Sequence, residues 1–127
     1  MAIIRIMEES EATGKVKSIF EEIKATLQLP FVPEIFRALG SKADQLEAVW
    51  MQVKGLYGSG CLDVKTKSLV ALAVAAAQRT SYFVKIHSIA LKRLGATDEE
   101  IAELLEVASL STALNTLVTG LGLEPEL

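Results

Sequence analysis

The nine residues from Leu69 to Ala77, LVALAVAAA, form the longest uninterrupted apolar run in the chain. Asp63 stands shortly before this run, and its carboxylate can accept hydrogen bonds from the free backbone amides that open a helix. We therefore predict a helix that Asp63 caps and that runs through Gln78. From Leu69 onward this helix is apolar on every side, which predicts a central position with burial all round. The run is too short to cross a membrane, because a span needs about 20 apolar residues.

Other segments repeat apolar side chains every three or four residues, which is the spacing of one helical face. The segment LPFVP, residues 29–33, separates two of them, and Pro33 can serve as the first residue of a short helix. Ser41 is predicted to cap the next helix, and Gly95 suits the end of a helix that starts near Ser81. The fold prediction is an all-α bundle of six or seven helices in a single domain, residues 1–127. The face positions are Val16, Ile19, Phe20, Ile23 and Leu27, then Leu46, Val49, Trp50, Val53 and Tyr57.

The last third of the chain opens with TDEE, residues 97–100, which has the spacing of a capping box at a helix start. Residues 111–121, STALNTLVTGL, are also predicted to be helical and carry no charge. An uncharged helix of this kind suits burial in the bundle or in a subunit interface.

Charge is distributed unevenly along the chain. The net charge is −3, and residues 94–127 carry seven acidic side chains and no basic one, against 13 basic and nine acidic ones before them. An acidic chain argues against nucleic acid as a partner. One cysteine excludes an intrachain disulfide and a thiolate metal cluster. The N-terminus, MAIIRIMEESE, lacks a signal-peptide pattern, so we expect a cytoplasmic protein with no membrane partner, no metal and no cofactor.

His87 is the only histidine in the chain, and no cysteine, aspartate or glutamate lies within ten residues of it. In a helix that starts near residue 80, Thr80, Phe83 and His87 share one face. A histidine there is a candidate general base, general acid or proton relay. The alternative is a structural histidine whose nitrogens bond to the backbone or to hydroxyl groups. A metal site is disfavoured, because one histidine supplies one ligand where three or four are needed.

Residues 62–108, LDVKTKSLVALAVAAAQRTSYFVKIHSIALKRLGATDEEIAELLEVA, resemble the core of the carboxymuconolactone decarboxylase and alkylhydroperoxidase AhpD-like family. Members typically carry LDxKT before an alanine-rich apolar helix, then CxxCxxxH, then a segment similar to GATDEEI. The segments EATGKVKSIFEEIKATL and PFVPEIFRALG also resemble family members, so the resemblance covers nearly the whole chain. It implies an AhpD-like fold and a homo-oligomer, usually a trimer or a hexamer.

The resemblance also implies a degenerate redox site. In the redox branch of the family, the motif Glu-x11-Cys-x2-Cys-x3-His provides two thiols that cycle through a disulfide, while the glutamate and histidine relay protons. The glutamate position falls on Ser68, and the two cysteine positions fall on Thr80 and Phe83; only His87 matches. The carboxymuconolactone decarboxylase branch of the family also lacks the cysteine pair. Its chemistry resembles general acid–base catalysis on anionic lactone acids.

Three hypotheses for function stay open at this point. The first is small organic acid binding or acid–base chemistry at His87, with Arg79, Tyr82 and Lys85 as candidate substrate-binding residues. The second is residual alkylhydroperoxidase activity, a peroxiredoxin-type antioxidant function, through Cys61 near a helix start. The third is a non-enzymatic oligomeric scaffold. The basic residues also have a simpler interpretation, as a solvated face neutralised by the acids of the next helix, which are Asp98, Glu99, Glu100, Glu103 and Glu106.

Overall fold

A computed structural model describes residues 2–126 of the chain, and within them every regular element is a helix. This confirms the all-α prediction of six or seven helices. The helices are α1 Gly14–Leu27, α2 Glu34–Ala38, α3 Ala43–Gly58, α4 Val64–Ala77, α5 Ser81–Arg93 and α6 Asp98–Leu121, with a single 3-10 turn at Glu9–Glu11. The chain divides into two compact units between Val64 and Lys65, and each is described by itself. That both belong to one domain stays a prediction.

The first unit is built on the apolar face predicted for α1. Ile19, Phe20 and Ile23 are buried there, at the three- and four-residue spacing that places side chains on one side of a helix. Helix α3 contributes Leu46 and Trp50 to the same cluster. The Trp50 ring meets the edge of Phe36 from α2 at 5.8 Å between ring centroids. Burial of these large side chains is the main stabilising contribution to this unit.

The predicted cap at Ser41 is wrong. Lys42 occupies the N-cap position of α3, and its side chain makes no capping bond. The reason is a tight turn, in which the Lys42 amide donates a hydrogen bond to the Leu39 carbonyl at 2.9 Å. Because of this turn, α3 begins one residue later than predicted. Pro33 likewise stands at the N-cap of α2, one residue before the predicted position. Shifts of one residue at helix ends are typical, because several residues can satisfy the same free amides.

The second unit consists of α4, α5 and α6. Leu72, Leu91 and Ala96 are buried together, and the partly buried Leu69, Val84, Ile101 and Leu104 pack against them. Gly95 adopts a left-handed backbone, with φ of +87°, at the end of α5 as predicted. The capping box is also confirmed. The Glu100 amide donates to Thr97 Oγ1 at 3.0 Å, and the Thr97 amide donates to Glu100 Oε1 at 3.2 Å.

Two apolar helices of this unit are less buried than the sequence predicts. Helix α4 buries Leu72 and Ala75, but Val70 and Val74 are 54% and 50% exposed, so burial on every side does not hold within the single chain. Residues 111–121 continue α6 without a break and are exposed. By length and composition alone α6 could span a membrane, a test that core helices of soluble proteins also pass. A cytoplasmic location and the absence of membrane and nucleic-acid partners stay predictions.

Candidate functional site

His87 lies in the middle of α5 and is half-buried. Its imidazole stacks on the ring of Phe83, one turn earlier, with 5.6 Å between ring centroids and 20° between ring planes. Tyr82 meets the edge of the same Phe83 ring at 5.0 Å and 89°. The structure therefore joins three of the predicted site residues in one aromatic cluster.

The electrostatic state of His87 follows from this apolar contact. Burial lowers the pKa of His87 from its ordinary value of 6.5, because removal from water disfavours the charged imidazolium. Desolvation is the cause of the shift, and no charged neighbour contributes to it. The imidazole is therefore neutral at pH 7, with one nitrogen able to accept a proton and the other able to donate one.

Ser68 and His87 each stand one turn before a leucine of the same core cluster. Ser68 is buried on α4, one turn before Leu72. His87 stands one turn before Leu91 on α5, and Leu72 and Leu91 belong to the same core cluster. The predicted glutamate position of the redox motif is thus part of the buried face of α4.

Thr80 and Arg79 form the turn between α4 and α5. Thr80 is the N-cap residue of α5, and its carbonyl accepts from the Val84 amide at 3.0 Å. Arg79 adopts a left-handed backbone, with φ of +58°, and is exposed. This backbone conformation is uncommon for residues other than glycine, and here it occurs in the three-residue connection between α4 and α5.

Lys85 and Cys61 are not part of this cluster. Lys85 is exposed and precedes His87 by two residues, which places it about 160° around the helix from the imidazole. Cys61 is exposed in the segment between α3 and α4, in the first unit. The structure assigns no role to either residue, so both stay predictions.

The acidic side chains of α6 pair with only some of the basic side chains on and next to α5. Lys92 pairs with Asp98 at 3.2 Å, whereas Glu100 pairs with Lys65 of α4 at 2.8 Å. Within residues 2–126, Arg79, Lys85 and Arg93 form no ion pair. The same part of the chain holds no group of three or more His, Cys, Asp or Glu side chains placed to bind a metal ion.

The lowered pKa of His87 predicts a pH dependence of stability. In the unfolded chain the His87 imidazole takes up a proton near pH 6.5, whereas in the folded chain it does so only at a lower pH. The free energy of unfolding therefore decreases as the pH falls below 6.5. The free energy of unfolding should decrease by less than about 1.4 kcal/mol for each pH unit, which is the limit for the uptake of one proton. Urea unfolding of wild type and His87→Gln between about pH 7.5 and 5.5 measures it. The variant should lose less stability on acidification, and equal pH profiles for the two proteins would contradict the prediction.

A family model described as the carboxymuconolactone decarboxylase family matches residues 43–122, which include α3, α4, α5 and α6. The chain belongs to the carboxymuconolactone decarboxylase family. The crystal structure of the alkylhydroperoxidase AhpD core from Rhodospirillum rubrum ATCC 11170 superimposes with a TM-score of 0.91 at 33% identity, covering 99% of this chain and 95% of that one. These two findings confirm the predicted family and the AhpD-like fold.

Two curated relatives match this family member over part of their own length. The (R)-2-haloacid dehalogenase of Pseudomonas putida is 32% identical over 111 residues, which cover 83% of this chain and 35% of the dehalogenase. Uncharacterized protein 4 in the cox locus of Paracoccus denitrificans is 38% identical over 56 residues, covering 44% of this chain and 50% of that protein. The chain therefore spans between a third and a half of the length of these relatives.

Sequence reasoning treated Phe83 only as a missing thiol and did not predict its contact with His87. The four-residue spacing was the available signal, because side chains four residues apart on a helix are neighbours. An apolar groove between α4 and α6 was also not predicted. Neither helix alone indicates it, because a groove depends on how closely two helices pack.

Proposed function

We propose that this family member binds a small organic acid beside His87, where it can carry out acid–base chemistry, and that it does not use disulfide chemistry. The observation that carries the proposal is the stacked pair of Phe83 and His87. An aromatic ring stands where the redox branch of the family has a thiol, and it lies against an imidazole that burial keeps neutral. A neutral imidazole is ready to accept a proton, whereas a phenyl ring can take no part in disulfide exchange.

The carboxylate of the ligand is assigned to Arg79. A guanidinium offers two parallel N–H groups that match the two oxygens of a carboxylate. Arg79 is exposed in the turn immediately before α5, the helix that carries His87. Lys85 is the less favoured partner, because it lies on the other side of α5.

The similarity to the (R)-2-haloacid dehalogenase supports this class of ligand, since a 2-haloacid is a small carboxylic acid. Hydrolytic dehalogenation replaces the halide with a hydroxyl group from water and releases one halide ion and one proton. In this chain His87 would accept that proton. The assignment of this reaction is part of the proposal, because the chain spans 35% of the length of that relative.

Binding can be measured directly because the chain has one histidine, whose imidazole gives a single set of NMR signals. Both enantiomers of 2-chloropropionate should shift these signals saturably, whereas the uncharged 2-chloropropionamide should not. Arg79→Ala should weaken binding by about tenfold or more, the usual effect of losing a hydrogen bond to a charged group. Lys85→Ala, which removes a positive charge from the side of α5 away from His87, is the control variant and should bind as wild type does.

Chloride release from the two enantiomers tests the chemical step separately. Release that His87→Gln abolishes, with carboxylate binding retained, would support His87 as the proton acceptor. Binding without release would limit the proposal to organic acid binding. The absence of a saturable shift with every carboxylate, in a protein with the wild-type circular dichroism spectrum, would overturn it.

A further inference from the structure

The aromatic cluster of Tyr82, Phe83 and His87 is not part of the core of its unit. Tyr82 and Phe83 are the only phenylalanine, tyrosine or tryptophan residues after Val64. The core cluster of the second unit is built from aliphatic side chains, and among the described residues neither of these two rings belongs to it. All three members of the aromatic cluster are half-buried, so part of each ring faces solvent. Their place beside the candidate site therefore calls for another explanation than core packing.

The rings of Phe83 and His87 overlap only in part. Their planes are 20° apart, but their centroids are 5.6 Å apart. Two rings in full overlap would be separated by about 3.5–4 Å, the contact distance of carbon atoms. The rings are therefore displaced sideways, and each leaves part of its face uncovered by the other. Tyr82 stands at 89° to Phe83, so the aromatic cluster offers a further ring both parallel and perpendicular neighbours, which are the two favourable geometries.

The order of the residues along the chain decides which part of a bound acid meets this cluster. Arg79, the residue proposed to hold the carboxylate, lies in the turn before α5, and His87 lies in the second turn of the helix. The first turn of α5 stands between them and carries Tyr82 and Phe83. An acid that is held at Arg79 and lies beside His87 therefore extends its apolar part along these two rings.

We propose that the acid bound at this site carries an aromatic ring, and that Tyr82 and Phe83 are the residues that select it. This inference rests on the proposed function, because it needs a carboxylate at Arg79 and a ligand beside His87. It goes further in naming the ligand class as arylalkanoic acids, of which phenylacetate is a simple member. A short aliphatic acid would bury less of the ring surface. A dicarboxylate would lose hydration of its second carboxylate against the rings.

A matched pair of ligands tests this selection on wild-type protein. Phenylacetate and cyclohexylacetate have the same charge and the same number of carbon atoms, and they differ in the aromaticity of the ring. Phenylacetate should bind roughly 2- to 10-fold more tightly, which corresponds to the extra attraction of one aromatic pair. Titration of the His87 NMR signals measures both affinities, and only phenylacetate should add a ring-current shift to these signals. Equal affinities of the two acids would overturn the proposal.

Leucine substitutions assign the preference to its residues. Phe83→Leu and Tyr82→Leu should each lower the ratio of the two affinities toward one, because leucine keeps an apolar side chain and removes the ring. The ratio is compared because a substitution can weaken the binding of both acids. Tyr57→Leu is the matched control, since Tyr57 is a half-buried tyrosine on α3 in the first unit, and it should keep the wild-type ratio. A wild-type ratio in the variant that lacks both Tyr82 and Phe83 would overturn the proposal.

A second measurement uses wild type alone, in case the leucine variants do not fold. In the phenylacetate complex, nuclear Overhauser contacts should join the phenyl protons to the ring protons of Tyr82 and Phe83, and their absence at saturation would overturn the proposal. Saturable binding of 2-chloropropionate together with equal binding of phenylacetate and cyclohexylacetate would overturn the aromatic selection alone. The absence of saturable binding by every carboxylate, or equally tight binding of the uncharged phenylacetamide, would overturn both this inference and the proposed function.

Discussion

Cysteines at positions 80 and 83 should give this chain a disulfide-cycling activity. In a Cys61→Ser background, the Thr80→Cys and Phe83→Cys variant should consume an alkyl hydroperoxide with a dithiol as the reductant. The protein dithiol would reduce the hydroperoxide to an alcohol and water and become a disulfide, which the added dithiol reduces again. The physical basis is the position of residue 80 at the N-cap of α5, where the helix stabilises a thiolate.

Addition of Ser68→Glu should increase this rate further. Position 68 is buried on α4, one turn before Leu72, which shares a core cluster with Leu91 of α5. A carboxyl group there would have a raised pKa, which suits a group that accepts and returns protons. The gain of the triple variant over the double variant should be about 10²-fold, the lower range for one acid–base group.

Serine controls separate chemistry from changes in packing. Thr80→Ser with Phe83→Ser in the same background removes the aromatic ring but adds no thiol, so it should show no turnover. A folded triple variant that forms its disulfide and still fails to consume hydroperoxide would show that Ser68, Thr80 and Phe83 are not the motif positions. Turnover by the Cys61→Ser parent itself would contradict the proposal that this chain does not use disulfide chemistry.

The features that sequence predicted correctly are local ones. The capping box at Thr97 and the left-handed Gly95 depend on residues within five positions, so the same bonds form in most contexts. The buried face of α1 followed from its spacing in the same way. The cap at Ser41 failed because a competing turn closed between Leu39 and Lys42. Such competition depends on backbone geometry that residue type alone does not specify.

The site was predictable in its members but not in its contacts. The sequence indicated His87 because it is the only histidine, and Phe83 because it stands at a position where a thiol was expected. In the structure the two side chains are stacked on each other. The burial of Ser68 also required the packing of α4 against its neighbours. Exposure of α4 and α6 was missed for a related reason, because an apolar sequence indicates that a face is to be buried but not which molecule buries it.

Leu46→Ala should lower the free energy of unfolding by about 2–5 kcal/mol, the range for removing a fully buried leucine side chain. Leu46 is 0% exposed and packs in the cluster that holds Ile23 and Trp50, so the lost methyl groups leave a cavity that the surrounding rings cannot fill. Met51→Ala, on the same helix and 59% exposed, should change stability by no more than about 0.5 kcal/mol. Urea unfolding at one fixed protein concentration measures both, because association would otherwise add to the apparent stability. Equal losses in the two variants would contradict the burial of Leu46, and with it the packing of α1 on α3 that forms the core of the first unit.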